Sequence, residues 1–178
     1  MNNVEDIGSY RFQKQDRLFF DANVWLNVYG PIVTRGRQSR IYSKALYNIR
    51  QVCCALFIDV PVLWEFVSVF ARVEHKQSAH KDLAFKKFRE SPEFKLVAKD
   101  IAQSARRIIK QCDCCESVFT MQDVEKLLNE YEQGESDFND QLITKICLME
   151  GLKLVTDDKD FKSKGLNILT ANPFLLSH

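Results

Sequence analysis

Short apolar runs of strand length punctuate this chain, separated by longer stretches in which apolar residues recur with a helical period. Arg17-Leu18-Phe19-Phe20 breaks off at Asp21, and Lys153-Leu154-Val155-Thr156 breaks off at Asp157, Asp158 and, past Lys159, Asp160. Ala55 to Val60 and Leu166 to Thr170 are further runs of this kind, and Glu116 to Phe119 is a shorter candidate. Apolar runs bounded by polar signals read as buried strands of a parallel sheet.

Between them, Val24 to Val33 begins as a helix and breaks near Gly30-Pro31. Ile41, Ala45, Leu46, Ile49 and Val52 mark one face of the next helix, and Pro61 opens another over Val62 to His75. The charged middle, His75 to Gln111, is helical, with Ser91-Pro92-Glu93 as a start signal and Phe94, Val97, Ile101, Ala105 and Ile108 as its stripe. Thr120 opens a helix that Gly134 ends, and Ser136 opens one that stops at Gly151.

Strands alternating with helices predict an α/β fold: a three-layer α/β/α sandwich around a central parallel sheet of four to five strands. Residues 1–16 show no clear period and read as an N-terminal arm, either flexible or an extra edge element, ahead of a single domain over 17–178. With 46% hydrophobic residues in 178, the chain has enough apolar content for a real core. A net charge of +1 gives no global field for a polyanion or a membrane, so any basic binding surface is local. No apolar run approaches membrane-spanning length and no secretory segment opens the chain, which predicts a cytoplasmic protein with its six cysteines reduced. Cys112, Cys114 and Cys115 lack the second cysteine pair or histidine pair that a zinc site needs.

In open α/β sheets ligands bind beyond the carboxyl ends of the strands, so Asp21 and the Asp157-Asp158 pair occupy the expected place for chemistry. Taken alone, Asp21 reads better as a helix cap, and a functional reading needs other carboxylates to converge on it. Glu65 lies in an early helical turn among Leu63, Trp64, Phe66 and Val67, an apolar setting for a glutamate, and Asp140 lies early in the helix after Ser136. Right-handed crossovers put the strand ends on one side, so carboxylates from separate segments can meet there. Several bare carboxylates repel one another unless some protonate or a cation neutralises them. Hard divalent ions prefer oxygen ligands, and a pair of them assists in-line displacement at a phosphodiester with water as nucleophile. Such chemistry needs no Ser, Cys or His nucleophile, in keeping with a chain whose histidines are only His75, His80 and His178.

Asp21-Ala22-Asn23-Val24-Trp25-Leu26, then Glu65, then Asp137-Phe138-Asn139-Asp140, then Val155-Thr156-Asp157-Asp158-Lys159-Asp160-Phe161 resemble, in order and relative spacing, the motifs of the PIN-domain nucleases. The closing Ile168-Leu169-Thr170 and Pro173 extend the resemblance over most of residues 17–175. It implies a metal-dependent endoribonuclease using Mg²⁺ or Mn²⁺, with Asp21, Glu65, Asp140 and Asp158 as catalytic metal ligands. Asn23 and Thr156 would support the site through hydrogen bonds, Asp137 would join from one helical turn away, and Asp157 and Asp160 stand beside Asp158 as substitutes. Many such nucleases are toxins, often homodimers held by a small antitoxin protein, while others process RNA. Compared with compact toxins the chain carries a helical insertion around 76–115, a longer segment after Asp21 and the 1–16 arm. The RNA groove would draw on Arg35, Arg37, Arg40 and Lys44, or on Lys86, Lys87, Arg89, Arg106 and Arg107. A catalytically silent RNA- or protein-binding module on the same fold is the rival reading. A Mg²⁺-dependent phosphatase of the haloacid-dehalogenase type ranks last, because Asn23 stands where its general acid would be.

Overall fold

The computed structural model describes residues 3–31, 36–115, 119–134, 137–161 and 165–177. Its strands are β1 (Asn3–Asp6), β2 (Arg17–Phe20), β3 (Ala55–Ile58), β4 (Asp113–Cys114), β5 (Lys153–Val155) and β6 (Asn167–Thr170). They form a six-stranded sheet in the order β1-β6-β5-β2-β3-β4, with every neighbouring pair parallel. The helices are α1 (Ala22–Tyr29), α2 (Arg37–Val52), α3 (Val60–Gln77), α4 (Phe85–Arg89), α5 (Pro92–Ile109), α6 (Met121–Glu132), α7 (Phe138–Glu150) and α8 (Pro173–Leu176).

Leu18, Phe19 and Phe20 are all fully buried. Successive residues of a strand face opposite sides, so complete burial of three in a row requires cover on both faces, the condition of a three-layer sandwich. β2 lies between β3 and β5, with Phe19 level with Phe57 on one side and Leu154 on the other. From β2 the chain moves outward through β3 to β4, then returns across the sheet to β5 and β6. The strand order therefore reverses between β2 and β5, and this is where an open α/β sheet forms its crevice.

The sheet has six strands rather than four or five because both edges carry an element with little periodic signal. β1 reads Asn-Val-Glu-Asp and pairs along its whole length with β6. Residues 3–16 are further tied down by buried Ile7 and Phe12 and by buried Asp16, which forms an ion pair with Lys153 (2.8 Å). β4 is only two residues long and lies before the expected strand, of which Glu116–Val118 fall outside the described residues. β3 ends at Ile58 rather than Val60, since Asp59 caps α3 and Val60 is already helical. Ser91 and Thr120 cap α5 and α6 as expected; Ser136 lies outside the described residues, and Asp137 caps α7.

One large hydrophobic cluster fills the space around the sheet. A smaller one, Phe70, Ala71 and Ile101, joins α3 to α5. His75 stacks on buried Phe88 with ring centroids 5.0 Å apart, so it is packed into this helical layer rather than left in solvent. All six cysteines are free thiols, and among the described residues no helix is long and apolar enough to cross a membrane.

Candidate active site

Asp21 follows the last residue of β2 and precedes α1, and its side chain is only 4% exposed. It accepts from the N–H of Ala22 (2.6 Å), its immediate neighbour, whereas an ordinary cap takes the second or third helical N–H. Its other oxygen accepts from the Asn23 side chain (2.5 Å) and the Thr156 hydroxyl (2.8 Å). The carboxylate is thus fixed from both sides of the switch point, beyond what capping requires.

Asn23 ties the two strand ends together. Its Nδ2 donates to Asp21, and its Oδ1 accepts the N–H of Asp157 (3.0 Å). Reversing the amide would set oxygen against the Asp21 carboxylate and Nδ2 against an N–H, so these partners fix its orientation. Thr156 donates to Asp21 and accepts the N–H of Asp158 (3.0 Å), which holds the turn after β5 against the end of β2.

Glu65, half-buried in the second turn of α3, accepts from the Asn139 side chain on α7 (2.7 Å). Burial, then the charges of Asp140, Asp137 and Asp158, push its carboxyl above the usual range. Asp21 is pushed up to about 7, first by burial, which the Thr156 hydrogen bond resists, and then by Glu65 and Asp140. Carboxylates from β2, α3, α7 and the loop after β5 therefore feel one another at a single edge of the sheet.

The remaining acids have separate partners. Asp157 accepts from the Tyr42 hydroxyl of α2 (2.8 Å), which in turn accepts the N–H of Ala171 (3.0 Å). Asp160 is exposed and contributes its N–H to Asp158 Oδ1 (3.0 Å), while Asp137 caps α7 through the N–H of Asn139 (2.8 Å). Asn139 and Tyr42 were not candidates from the sequence. Tyr42 lies on the buried face with Ala45, Leu46 and Ile49, and a buried tyrosine needs a partner for its hydroxyl, the one clue available. Asn139 gave only its place between two of the acids.

Carboxylate, amide and hydroxyl oxygens are the donors a hard divalent cation prefers, and the crowding felt by Asp21 and Glu65 is what such a charge relieves. Among the described residues no three acidic, thiol or imidazole groups stand close enough to enclose an ion directly.

Of the basic candidates, Arg35 lies outside the described residues, and Arg37, Arg40 and Lys44 are exposed on α2. Arg37 lines a cavity of about 630 Å³ with Asp6, Ala171 and Pro173, at the same edge of the sheet as the acids. Arg107 instead lines a cavity with Tyr29, Gly30 and Pro31, at the far end of α1 from Asp21. The helix α4, which carries Lys86, Lys87 and Arg89, packs through Phe85 and Phe88 on His75, about 15 Å along α3 from Glu65.

Compared with known proteins, the chain matches a family model described as PIN domain over residues 18–166. No curated protein matches it.

Proposed function

The chain belongs to the PIN-domain family, a nuclease-type fold commonly dependent on divalent metal, and from that premise we propose that it is a Mg²⁺- or Mn²⁺-dependent endoribonuclease. The observation that carries this reading is that carboxylates from four separate segments face one another at the switch point of the sheet, where burial and then the neighbouring acids raise both Asp21 and Glu65. Among the described residues Asp21, Glu65 and Asp158 form no ion pair with a basic side chain. A silent binding module would be expected to spend its acids in separate salt bridges.

Asp21, Glu65, Asp140 and Asp158 are the residues that would hold the metal. When bound, a divalent ion supplies an activated water and offsets charge on the phosphate being displaced. The rest is done by the chain. Thr156 and Asn23 lock the Asp21 carboxylate, Asn139 orients Glu65, and Tyr42 draws Asp157 aside so that Asp158 is the acid of its pair left facing the cluster. Phe20, Trp25 and Val155, next to the site residues in sequence, are fully buried. Asn23 carries no titratable proton and both ends of its amide are engaged, which leaves the phosphatase reading without its general acid.

RNA as substrate is what the resemblance adds. The α4–α5 layer and the paired β1 give this chain surface that compact toxins lack, which weighs against a toxin held by an antitoxin, and the homodimer goes with that role. The test is cleavage of varied single-stranded RNAs by the purified protein with Mg²⁺ or Mn²⁺, alongside Asp21→Asn. Metal-dependent cleavage lost in the variant supports the proposal; intact RNA under both metals, with no divalent ion bound, overturns it.

A further inference from the structure

Next to the acids, Asn23, Asp157, Asp158, Lys159 and Asn172 line a shallow open cavity of about 350 Å³. The larger cavity holding Arg37 begins at the residues flanking Asn172, Ala171 and Pro173. The two are therefore neighbouring stretches of one groove along the carboxyl ends of β5, β6 and β1. Asn172 forms the rigid saddle between them. Its Nδ2 donates to the Asp157 carbonyl (2.7 Å), its Oδ1 accepts the N–H of Phe174 (2.9 Å), and its own N–H donates to the Thr170 hydroxyl (2.9 Å).

Two cations stand over this groove. Lys159 and Arg37 are exposed, and among the described residues neither is paired with a carboxylate. Asp6, the acid at the Arg37 end, is engaged by its own turn through the N–H of Gly8 (2.9 Å) and the hydroxyl of Ser9 (3.2 Å). The Arg37 stretch also has apolar walls in Ile41, Pro173 and Leu176, suited to the flat faces of sugars and bases.

We propose that this groove is the track for one arm of a single-stranded RNA substrate, with Lys159 and Arg37 as positioning residues that hold phosphates beside the scissile one. The assignment rests on the endoribonuclease reading and extends it to the path of the strand. Adjacent strands lie about 4.8 Å apart, so the end of β1, where Arg37 of α2 lines the cavity with Asp6 and Gly8, is roughly 10 Å across the sheet from the turn after β5. That is a span of one or two nucleotides. The track includes the N-terminal strand as its outer wall, and it leaves the cations of α4 and the end of α5 out of substrate binding.

The test compares wild type with the double variant Arg37→Ala/Lys159→Ala and with Lys86→Ala/Lys87→Ala, on a twelve-nucleotide single-stranded RNA with Mn²⁺. Removing groove cations should raise KM by about tenfold per cation while kcat stays within about twofold, the pattern of lost uniform binding. Binding to the same RNA by the Asp21→Asn form, followed by fluorescence anisotropy, should lose about 0.7 of salt slope for each groove cation removed. The α4 variant should match wild type in both. If wild type cleaves and the double variant keeps its KM and salt slope, the track is wrong and the nuclease reading stands. A wild type that neither binds nor cleaves RNA overturns both.

Discussion

Asp16 and Asp21 flank the same four-residue strand, both are buried, at 6% and 4% exposure, and their environments are opposite. Asp16, at the entry to β2, is opposed by burial but receives Lys153, the N–H of Gln13 (2.9 Å) and the Tyr10 hydroxyl (3.1 Å), which together hold its carboxyl below the usual range. Asp21, at the exit, receives only neutral donors, faces other acids, and is pushed up to about 7. One strand thus carries a buried charge that is satisfied by the fold and another that is not. The first ties the N-terminal segment to the sheet; the second is a standing cost that a bound cation would remove. This is the pattern expected where stability has been given up for function.

The largest expected effect is on turnover: Asp21→Asn should lower metal-dependent RNA cleavage by about 10³-fold or more, in initial rates at saturating Mn²⁺. Lys153→Met should leave kcat within about twofold. Next is the response to metal. Saturating wild type at about a hundred times its dissociation constant should raise unfolding free energy by about 2.7 kcal/mol, and Asp21→Asn should lose most of that gain in urea titrations. Equal stabilisation of the two proteins would place the ion elsewhere.

Removing Lys153 leaves Asp16 buried without its charged partner, and Lys153→Met should cost about 2 kcal/mol in metal-free urea unfolding. An unchanged midpoint would mean that solvent satisfies Asp16 as well as the lysine does.

In the pH dependence the two carboxylates have opposite signs. Asp16 is lowered from 3.8, so its contribution is present above that value and is lost as pH falls through its folded value. Asp21 is raised from 3.8 to about 7, so the metal-free folded state holds an extra proton between those values and loses stability as pH rises through them. Each limb involves at most one proton, about 1.4 kcal/mol per pH unit. Lys153→Met should flatten the acid limb, and divalent metal should flatten the neutral one; the same profile in every case would contradict both assignments.

How far the sequence could be read follows from where the signals reside. Leu18-Phe19-Phe20 followed by Asp21 was legible because a central parallel strand must be apolar on both faces, and a carboxylate ends such a run visibly. Gly151 was legible as the stop of α7 because it takes a positive φ (62°) that favours glycine. β1 was legible only as one of two alternatives for residues 1–16, a flexible arm or an extra edge element: an edge strand with one sheet neighbour needs no apolar pattern, and Asn3–Asp6 gives none. β4 was too short to leave a period. Within the candidate site, the acids could be nominated one by one, but their supports could not. Tyr42 reaches Asp157 across 115 positions of chain and Asn139 reaches Glu65 across 74, and no local pattern records such a meeting.

The most direct test is a crystal soaked in Mn²⁺ and measured for anomalous scattering. A manganese peak is expected at the carboxyl ends of β2 and β5, among Asp21, Glu65, Asp140 and Asp158, and is expected to be lost in Asp21→Asn. A crevice without manganese, or a peak that persists in the variant, would contradict a metal site there.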